Sequence, residues 1–177
     1  MLITEEYKNL NQKLHETNKS YGTSGHKWAN PIIGLCEMIK SKDVLDYGCG
    51  KSTLAQNLPF EIKQYDPAIP KYSESPEPAH IVVCTDVLEH IEPECLDDVL
   101  ADIRRLTKSI CFLGIANRPA VKVLEDGRNA HLIQEDESWW LNKLFPLFHI
   151  IQFQSNGIPV PGESNDMLEY LVIGTPK

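Results

Sequence analysis

Apolar positions along this chain change their period about a quarter of the way in. From Leu2 to Asn18 the residues Leu2, Ile3, Tyr7, Leu10 and Leu14 recur at three-to-four spacing in a polar background, which predicts a weakly amphipathic helix. The stretch "YGTSGHKWANP", Tyr21 to Pro31, reads as a loop from its Gly and Ser content. Asn30-Pro31 then supplies a cap and a first-position proline for a helix reaching about Lys40. Beyond that point short apolar runs alternate with helical ones. Strands are expected at "DVLDYG" (43–48), "EIKQYD" (61–66), "HIVVCTD" (80–86) and "SICFLGI" (109–115). Helices are expected at "KSTLAQNL" (51–58), at "CLDDVLADIRRLT" (95–107), where Leu96, Val99, Leu100, Ile103 and Leu106 share a face, and at "DESWWLNKLF" (136–145). Two last strands, "FHIIQFQ" (148–154) and "LEYLVIG" (168–174), flank a Pro/Gly-rich loop at 155–166.

Strand–helix alternation predicts an α/β fold with a parallel sheet covered on both faces. The last two strands lack an intervening helix and are expected as an antiparallel edge pair. The predicted sheet has six strands, mostly parallel, in the order 2-1-3-4-6-5, in a Rossmann-like arrangement. One crossover is unusual: Pro67 to Ala79 holds four prolines (67, 70, 76 and 78) and excludes a helix. Thirteen extended residues still reach about 45 Å, enough to return past a strand of ~17–20 Å. The 177 residues are read as one domain, with an N-terminal helical segment (1–42) near the ligand mouth and an α/β core (43–177).

Composition narrows the classes of partner. A formal net charge of −8 argues against a large nucleic-acid or anionic-membrane surface. No apolar run is long enough to span a bilayer, and no charged segment followed by an apolar run opens the chain. Five cysteines (36, 49, 84, 95 and 111) form neither a CxxC pair nor a zinc spacing, so no metal is expected. A reducing cytoplasm is the simplest setting.

The stretch "DYGCGKST", Asp46 to Thr53, holds the candidate chemistry. Its end imitates a phosphate loop, but GxxxxGK[ST] needs a glycine at position 45, which is Leu45. Asp46 would also repel a polyphosphate. The dinucleotide fingerprint GxGxxG fails because Lys51, Ser52 and Thr53 follow Gly50. A sulfonium nucleoside fits better. Gly48 and Gly50 allow close backbone approach. A helix starting near Lys51 offers amides to a carboxylate. Asp46 suits a cation or an amino group, and Asp66 suits a ribose diol.

"VLDYGCGKSTLAQNLP", then "YDP", then "HIVVCTDVLEHIEP" resembles the class I S-adenosylmethionine-dependent methyltransferase family over about residues 43–115. The resemblance implies that Asp46, Tyr47, Gly48, Cys49 and Gly50 form the cofactor turn and that Asp66 contacts ribose. It also implies that Asp86 and Val87, with the residues up to His90, line the pocket. The family usually has seven strands; here Pro67–Ala79 stands where a further helix and strand would lie, so adenine has no assigned residue.

Methyl transfer mainly requires positioning of the acceptor and exclusion of water. His131 is the leading base candidate, with His90 as a second pocket histidine. The long segment Ala116–Gln134 leaves the fourth strand at the cofactor end and brings Asn117, Arg118, Arg128 and Asn129 as candidate substrate contacts. Tyr21 and Trp28 are expected over the cofactor, in a lid hinged at Gly22 and Gly25. Glu89 reads as a solvated or capping acid. The function expected is methyl transfer from S-adenosylmethionine to a small molecule or polar acceptor. The alternatives are a catalytically silent cofactor-binding or interaction module and a nucleotide-triphosphate hydrolase.

Overall fold

The computed structural model describes residues 1–156 and 169–177; residues 157–168, which hold most of the expected Pro/Gly-rich loop and Leu168, lie outside the described residues. The apolar runs after Ser41 form a six-stranded sheet: β1 (Val44–Tyr47), β2 (Lys63–Tyr65), β3 (Ala79–Thr85), β4 (Thr107–Ala116), β5 (Phe148–Asn156) and β6 (Glu169–Pro176). The spatial order is β2-β1-β3-β4-β6-β5. β1 to β4 are mutually parallel, β6 runs antiparallel to β4, and β5 antiparallel to β6. This is the mixed α/β architecture that the alternating pattern predicts.

β3 shows why its sequence is a continuous apolar run. Val82 and Cys84 enter one core layer, and Ile81 and Val83 the other. Period-two alternation across a sheet buried on both faces leaves no polar position in the centre. The first layer is covered by α4 (Leu96–Leu106), which buries Leu96, Val99, Leu100, Ile103 and Leu106, and by α5 (Glu137–Leu144), which brings fully buried Trp140. Asp136 caps α5 by accepting from the Trp139 amide at 2.9 Å. The second layer is covered by α2 (Ala29–Ile39), through Ile32, Leu35 and Cys36, and by α3 (Thr53–Gln56), through Leu54. α1 (Glu5–Thr17) makes a third, smaller cluster in which Tyr7 packs with Leu124 and Ala130. The five cysteines are free and buried, and Cys36, Cys84 and Cys111 serve as small hydrophobes in these layers.

Two helix starts differ from the expected ones. α2 begins at Ala29 rather than at an Asn30 cap. A 3-10 turn over Ser24–Trp28 runs straight into it, so Pro31 falls in its first turn, where a missing N–H leaves no bond unmade. α3 spans four residues instead of eight. Ser52 takes a left-handed conformation (φ +62) and the Lys51 amide donates to the Gly22 carbonyl at 2.8 Å, which delays the helix to Thr53. The Pro67–Ala79 crossover contains only a 3-10 turn, Pro70–Tyr72, and no α-helix.

Candidate active site

The carboxyl ends of β1 and β3 converge with α1 and the segment after β4 around a cavity of about 310 Å³. That size suits a small ligand. β1 turns away through Gly48 (φ +81) and Gly50 (φ +51). Gly48 and Cys49 donate their amides to the Tyr65 carbonyl at 2.7 and 3.0 Å, tying the turn to the end of β2. A Cβ on Gly48 would lie 2.3 Å from Val87 Cγ2, and one on Gly50 would lie 2.7 Å from the Gly22 carbonyl oxygen. Glycine is therefore required twice, by conformation and by close approach.

Asp66 is buried beside this turn. Its Oδ2 accepts from the Gly50 amide at 3.1 Å and its Oδ1 from the Ala68 amide at 3.0 Å. Burial pushes its carboxyl above the usual range, and these two amides oppose the shift. A purely ligand-facing Asp66 is expected from sequence; the structure adds a bracing role, so a large truncation there would loosen the turn as well. Asp46 lies beneath the turn, outside the cavity wall, where burial and then the Asp66 charge push its pKa up to about 7. Cys49 is likewise buried outside the wall, whereas Tyr47, Gly48, Gly50, Asp66, Asp86 and Val87 line it.

Asp86 directly follows β3 with φ +54, a conformation that a non-glycine residue adopts at some strain. Its Oδ2 lies 3.2 Å from Lys27 Nζ. Glu89, expected as a solvated acid, is fully buried. Its Oε1 accepts from the Ala116 amide at 3.1 Å, and its Oε2 has no hydrogen-bond partner. Burial, then the neighbouring Asp86 charge, pushes its carboxyl up to about 8.

His90 and His131 meet edge to face with ring centroids 4.6 Å apart. His90 Nδ1 lies 2.6 Å from the Ala130 carbonyl oxygen and His131 Nδ1 lies 2.6 Å from that of Arg118. A carbonyl only accepts, so both Nδ1 atoms carry hydrogen and both Nε2 atoms are free acceptors. Burial, then His131 beside it, holds the His90 imidazole down to about 3; burial lowers His131 as well. His15, also in the wall, is held down to about 4 by burial and then the Lys51 charge.

The candidate substrate contacts divide. Arg118 lines the cavity. Asn117 instead donates to the Tyr170 hydroxyl at 2.6 Å. Asn129 Oδ1 accepts from the Ala120 and His131 amides, both at 2.9 Å, so it shapes the loop that presents His131. Arg128 pairs with Asp126 at 2.6 Å and lies over the Tyr7 ring. All three lie outside the cavity wall: Asn129 and Arg128 bond within the loop, and Asn117 bonds to Tyr170 on β6.

Tyr21 lines the cavity and its hydroxyl donates to Asn11 Oδ1 at 2.9 Å. Trp28 does not reach it. Its ring packs edge-on against Phe112, centroids 5.3 Å apart, and against Gly114, so it belongs to the core. Gly22 and Gly25 serve close contact rather than hinging: added Cβ atoms would meet His15 at 2.7 Å and the Leu54 amide at 2.9 Å. The Thr53 hydroxyl also donates to the Thr23 carbonyl at 3.0 Å, which fastens this strap to the turn.

Sequence reasoning places α1 near the mouth but misses the residues it contributes, Tyr7, Asn11 and His15. The available signal is Asn11, a polar residue one helical turn from Tyr7 that is nevertheless buried. Thr4 holds the helix in place. Its hydroxyl and amide donate to the Glu92 carboxylate at 2.7 and 2.9 Å, across 88 residues of chain.

Lys51 of "GKST" is not placed as a phosphate-loop lysine. Its Nζ donates to the Asn18 carbonyl at 2.5 Å instead of entering the turn.

No family model matches the chain, and no curated protein matches it. Solved structures do. The 1,6-didemethyltoxoflavin-N1-methyltransferase of Burkholderia thailandensis, with 1,6-didemethyltoxoflavin and S-adenosylhomocysteine bound, aligns with a TM-score of 0.66 at 15% identity over 97% of this chain and 89% of its own. The magnesium protoporphyrin IX methyltransferase of Synechocystis PCC 6803, with S-adenosylmethionine bound, gives 0.64 at 12% identity over 97% of both chains. The N-methyltransferase NodS of Bradyrhizobium japonicum WM9, with S-adenosylhomocysteine, gives 0.58 at 9% identity over 96% and 98%. The chain has the fold of the class I S-adenosylmethionine-dependent methyltransferases.

Proposed function

We propose that this chain binds S-adenosylmethionine at the Gly48–Gly50 turn and transfers its methyl group to a small-molecule or modest-sized polar acceptor. The observation that carries this reading is the turn itself: two left-handed glycines at the carboxyl end of β1, braced by a buried carboxylate, opening on a cavity of about 310 Å³. The residues present fit the cofactor. Each Asp66 oxygen accepts one amide and keeps a lone pair for a ribose hydroxyl. Asp46 beneath the turn and Asp86 in the wall favour a cation. S-adenosylmethionine supplies a methyl carbon activated by a positively charged sulfur.

Around it, Tyr47, Gly48, Gly50 and Val87 form the floor, with Cys49 buried behind the turn, and Tyr21 with the Gly22 strap forms the roof. Asp86 and Arg118 face the acceptor side. His131 and His90 present neutral Nε2 atoms there, suited to take a proton from a bound hydroxyl or amine. Trp28, Asn117, Arg128 and Asn129 act by holding these pieces in place. The small-molecule ligand and acceptor names of two structural neighbours agree with a roofed cavity and a net charge of −8. Five free, buried cysteines agree with a cytoplasmic setting. Among the described residues no helix is long and apolar enough to cross a membrane.

A thermal-shift series with S-adenosylmethionine, S-adenosylhomocysteine, NAD and Mg-ATP tests the reading. The first two, at a hundred times their dissociation constants, are expected to stabilise by about 2.7 kcal/mol, whereas NAD and Mg-ATP leave the melting temperature unchanged. Asp66→Asn, which keeps one acceptor oxygen, is expected to weaken S-adenosylhomocysteine roughly 30-fold, since a hydrogen bond to a charged group contributes about 1.5–3 kcal/mol. Equal affinity in the variant would remove the ribose from Asp66. Tight binding without methyl release to hydroxyl, amine and thiol acceptors would make the chain a cofactor-binding module instead.

A further inference from the structure

We propose that Glu89, His90 and His131 form a binding site for one divalent first-row cation, whose open positions take a hydroxyl oxygen of the acceptor. The first half stands on the three side chains alone; the second half rests on the methyltransferase reading above.

One donor atom from each of the three residues lies within 4.8 Å of the others. A cation about 2.1 Å from each donor draws them to roughly 3–4 Å apart, a closure of about one ångström that side-chain rotation supplies. The two histidines are already prepared. Metal-binding imidazoles commonly donate their second N–H to a carbonyl or carboxylate, which fixes the tautomer and aims the other nitrogen at the ion. Here both rings do so, through the Ala130 and Arg118 carbonyls, leaving each Nε2 without a hydrogen-bond partner among the described residues.

Glu89 supplies an independent observation. It is fully buried, one oxygen is satisfied by the Ala116 amide, and the other has no partner. A buried carboxyl oxygen with no hydrogen-bond partner is unfavourable, and a cation beside the two histidines would satisfy it as the carboxylate. Placement follows from two elements. Glu89 and His90 lie on a 3-10 turn, Leu88–His90, just past β3, and His131 is presented by the loop that Asn129 ties to Ala120. Tyr7 fixes the turn from outside by donating to the His90 carbonyl.

The donor set selects the ion. Two imidazoles and one carboxylate suit Mn²⁺, Co²⁺ or Zn²⁺ better than Mg²⁺ or Ca²⁺, which take oxygen. Three protein ligands leave positions open toward the cavity. A hydroxyl bound there is acidified by the cation. Its O–H bond breaks with the electron pair staying on oxygen and the proton passing to water. With the ion in place the imidazoles serve as ligands, and this replaces a role for them as bases.

The test uses the full chain, stripped with EDTA and titrated with Co²⁺ alone, followed by visible absorption and calorimetry. One equivalent is expected to bind with d–d bands, to be displaced by Zn²⁺, and to persist in excess Mg²⁺. His131→Ala is expected to weaken Co²⁺ about 30-fold or more. Glu89→Gln is a second variant, used if its melting curve shows a folded chain. Acetohydroxamate, an oxygen-donor probe, is expected to shift the bands. No bands and no heat in the parent chain would overturn the site. If S-adenosylhomocysteine still binds in that case, the methyltransferase reading stands without a metal. Co²⁺ binding with bands unmoved by acetohydroxamate, or without S-adenosylhomocysteine binding, would overturn the acceptor role and leave a structural ion.

Discussion

A chain carrying Gly50→Ala is expected to lose more than about 100-fold in S-adenosylmethionine affinity and to melt about 5–10 °C lower than the parent. Two effects combine. At φ +51 an L-residue is strained by about 1–2 kcal/mol. The added Cβ would also stand 2.7 Å from the Gly22 carbonyl oxygen, which already accepts the Lys51 amide. Backbone on both sides leaves no flexible side chain to yield, so the strap must lift and the turn must change shape. A total of about 2–3 kcal/mol corresponds to that melting shift for a chain of this length. Gly127→Ala is the control. It shares the positive φ, at +88, but nothing lies within 4 Å of the new Cβ. It is expected to cost about 1 kcal/mol and to leave affinity unchanged. Equal affinity in the Gly50 variant, measured by calorimetry, would move the ligand away from this turn.

Asp46→Asn is expected to stabilise the ligand-free chain, and more so at high pH. The folded carboxyl titrates near 7, raised by burial and by Asp66, against 3.8 for the ordinary group. The folded state therefore holds the proton more tightly than the unfolded state. Stability falls as pH rises from about 4 to about 7 and is then level. Between pH 5 and pH 8 this single group removes about 3 kcal/mol. Asparagine does not titrate, so the advantage of the variant should grow by about that amount over the same interval. Urea melts of both chains at the two pH values measure it. Parallel pH dependence in parent and variant would show that Asp46 is ionised in both states. A bound sulfonium would oppose the same penalty, because a nearby cation favours the carboxylate.

The order of all six strands is readable in the sequence because burial on both faces forces continuous β-branched runs, as in Ile81-Val82-Val83. The antiparallel pair at the end is readable from the missing helix. The glycine turn is readable because Gly48 and Gly50 have no substitute at positive φ. What escapes is set by contacts between distant segments. The shortness of α3 follows from Gly22 taking the Lys51 amide, which no local propensity announces. Trp28 looks like a lid residue in sequence and is a core residue because Gly114 leaves it room. Glu89 looks like a surface acid, yet the amide of Ala116, 27 residues away, makes it a buried one. Asn117, Arg128 and Asn129 look like ligand contacts because polar loop residues often are; here Arg128 and Asn129 are used in the loop's own bonds and Asn117 in one to β6.

The bond from Thr4 to Glu92 has a kinetic meaning. The first helix cannot find its seat until the chain has passed β3, and closing so large a loop is slow and entropically unfavourable. The sheet can exist before the chamber has its wall. Mild denaturant should accordingly release the amide of Tyr7 to deuterium well before that of Val82, and competence to hold a ligand should vanish while most of the β-structure survives.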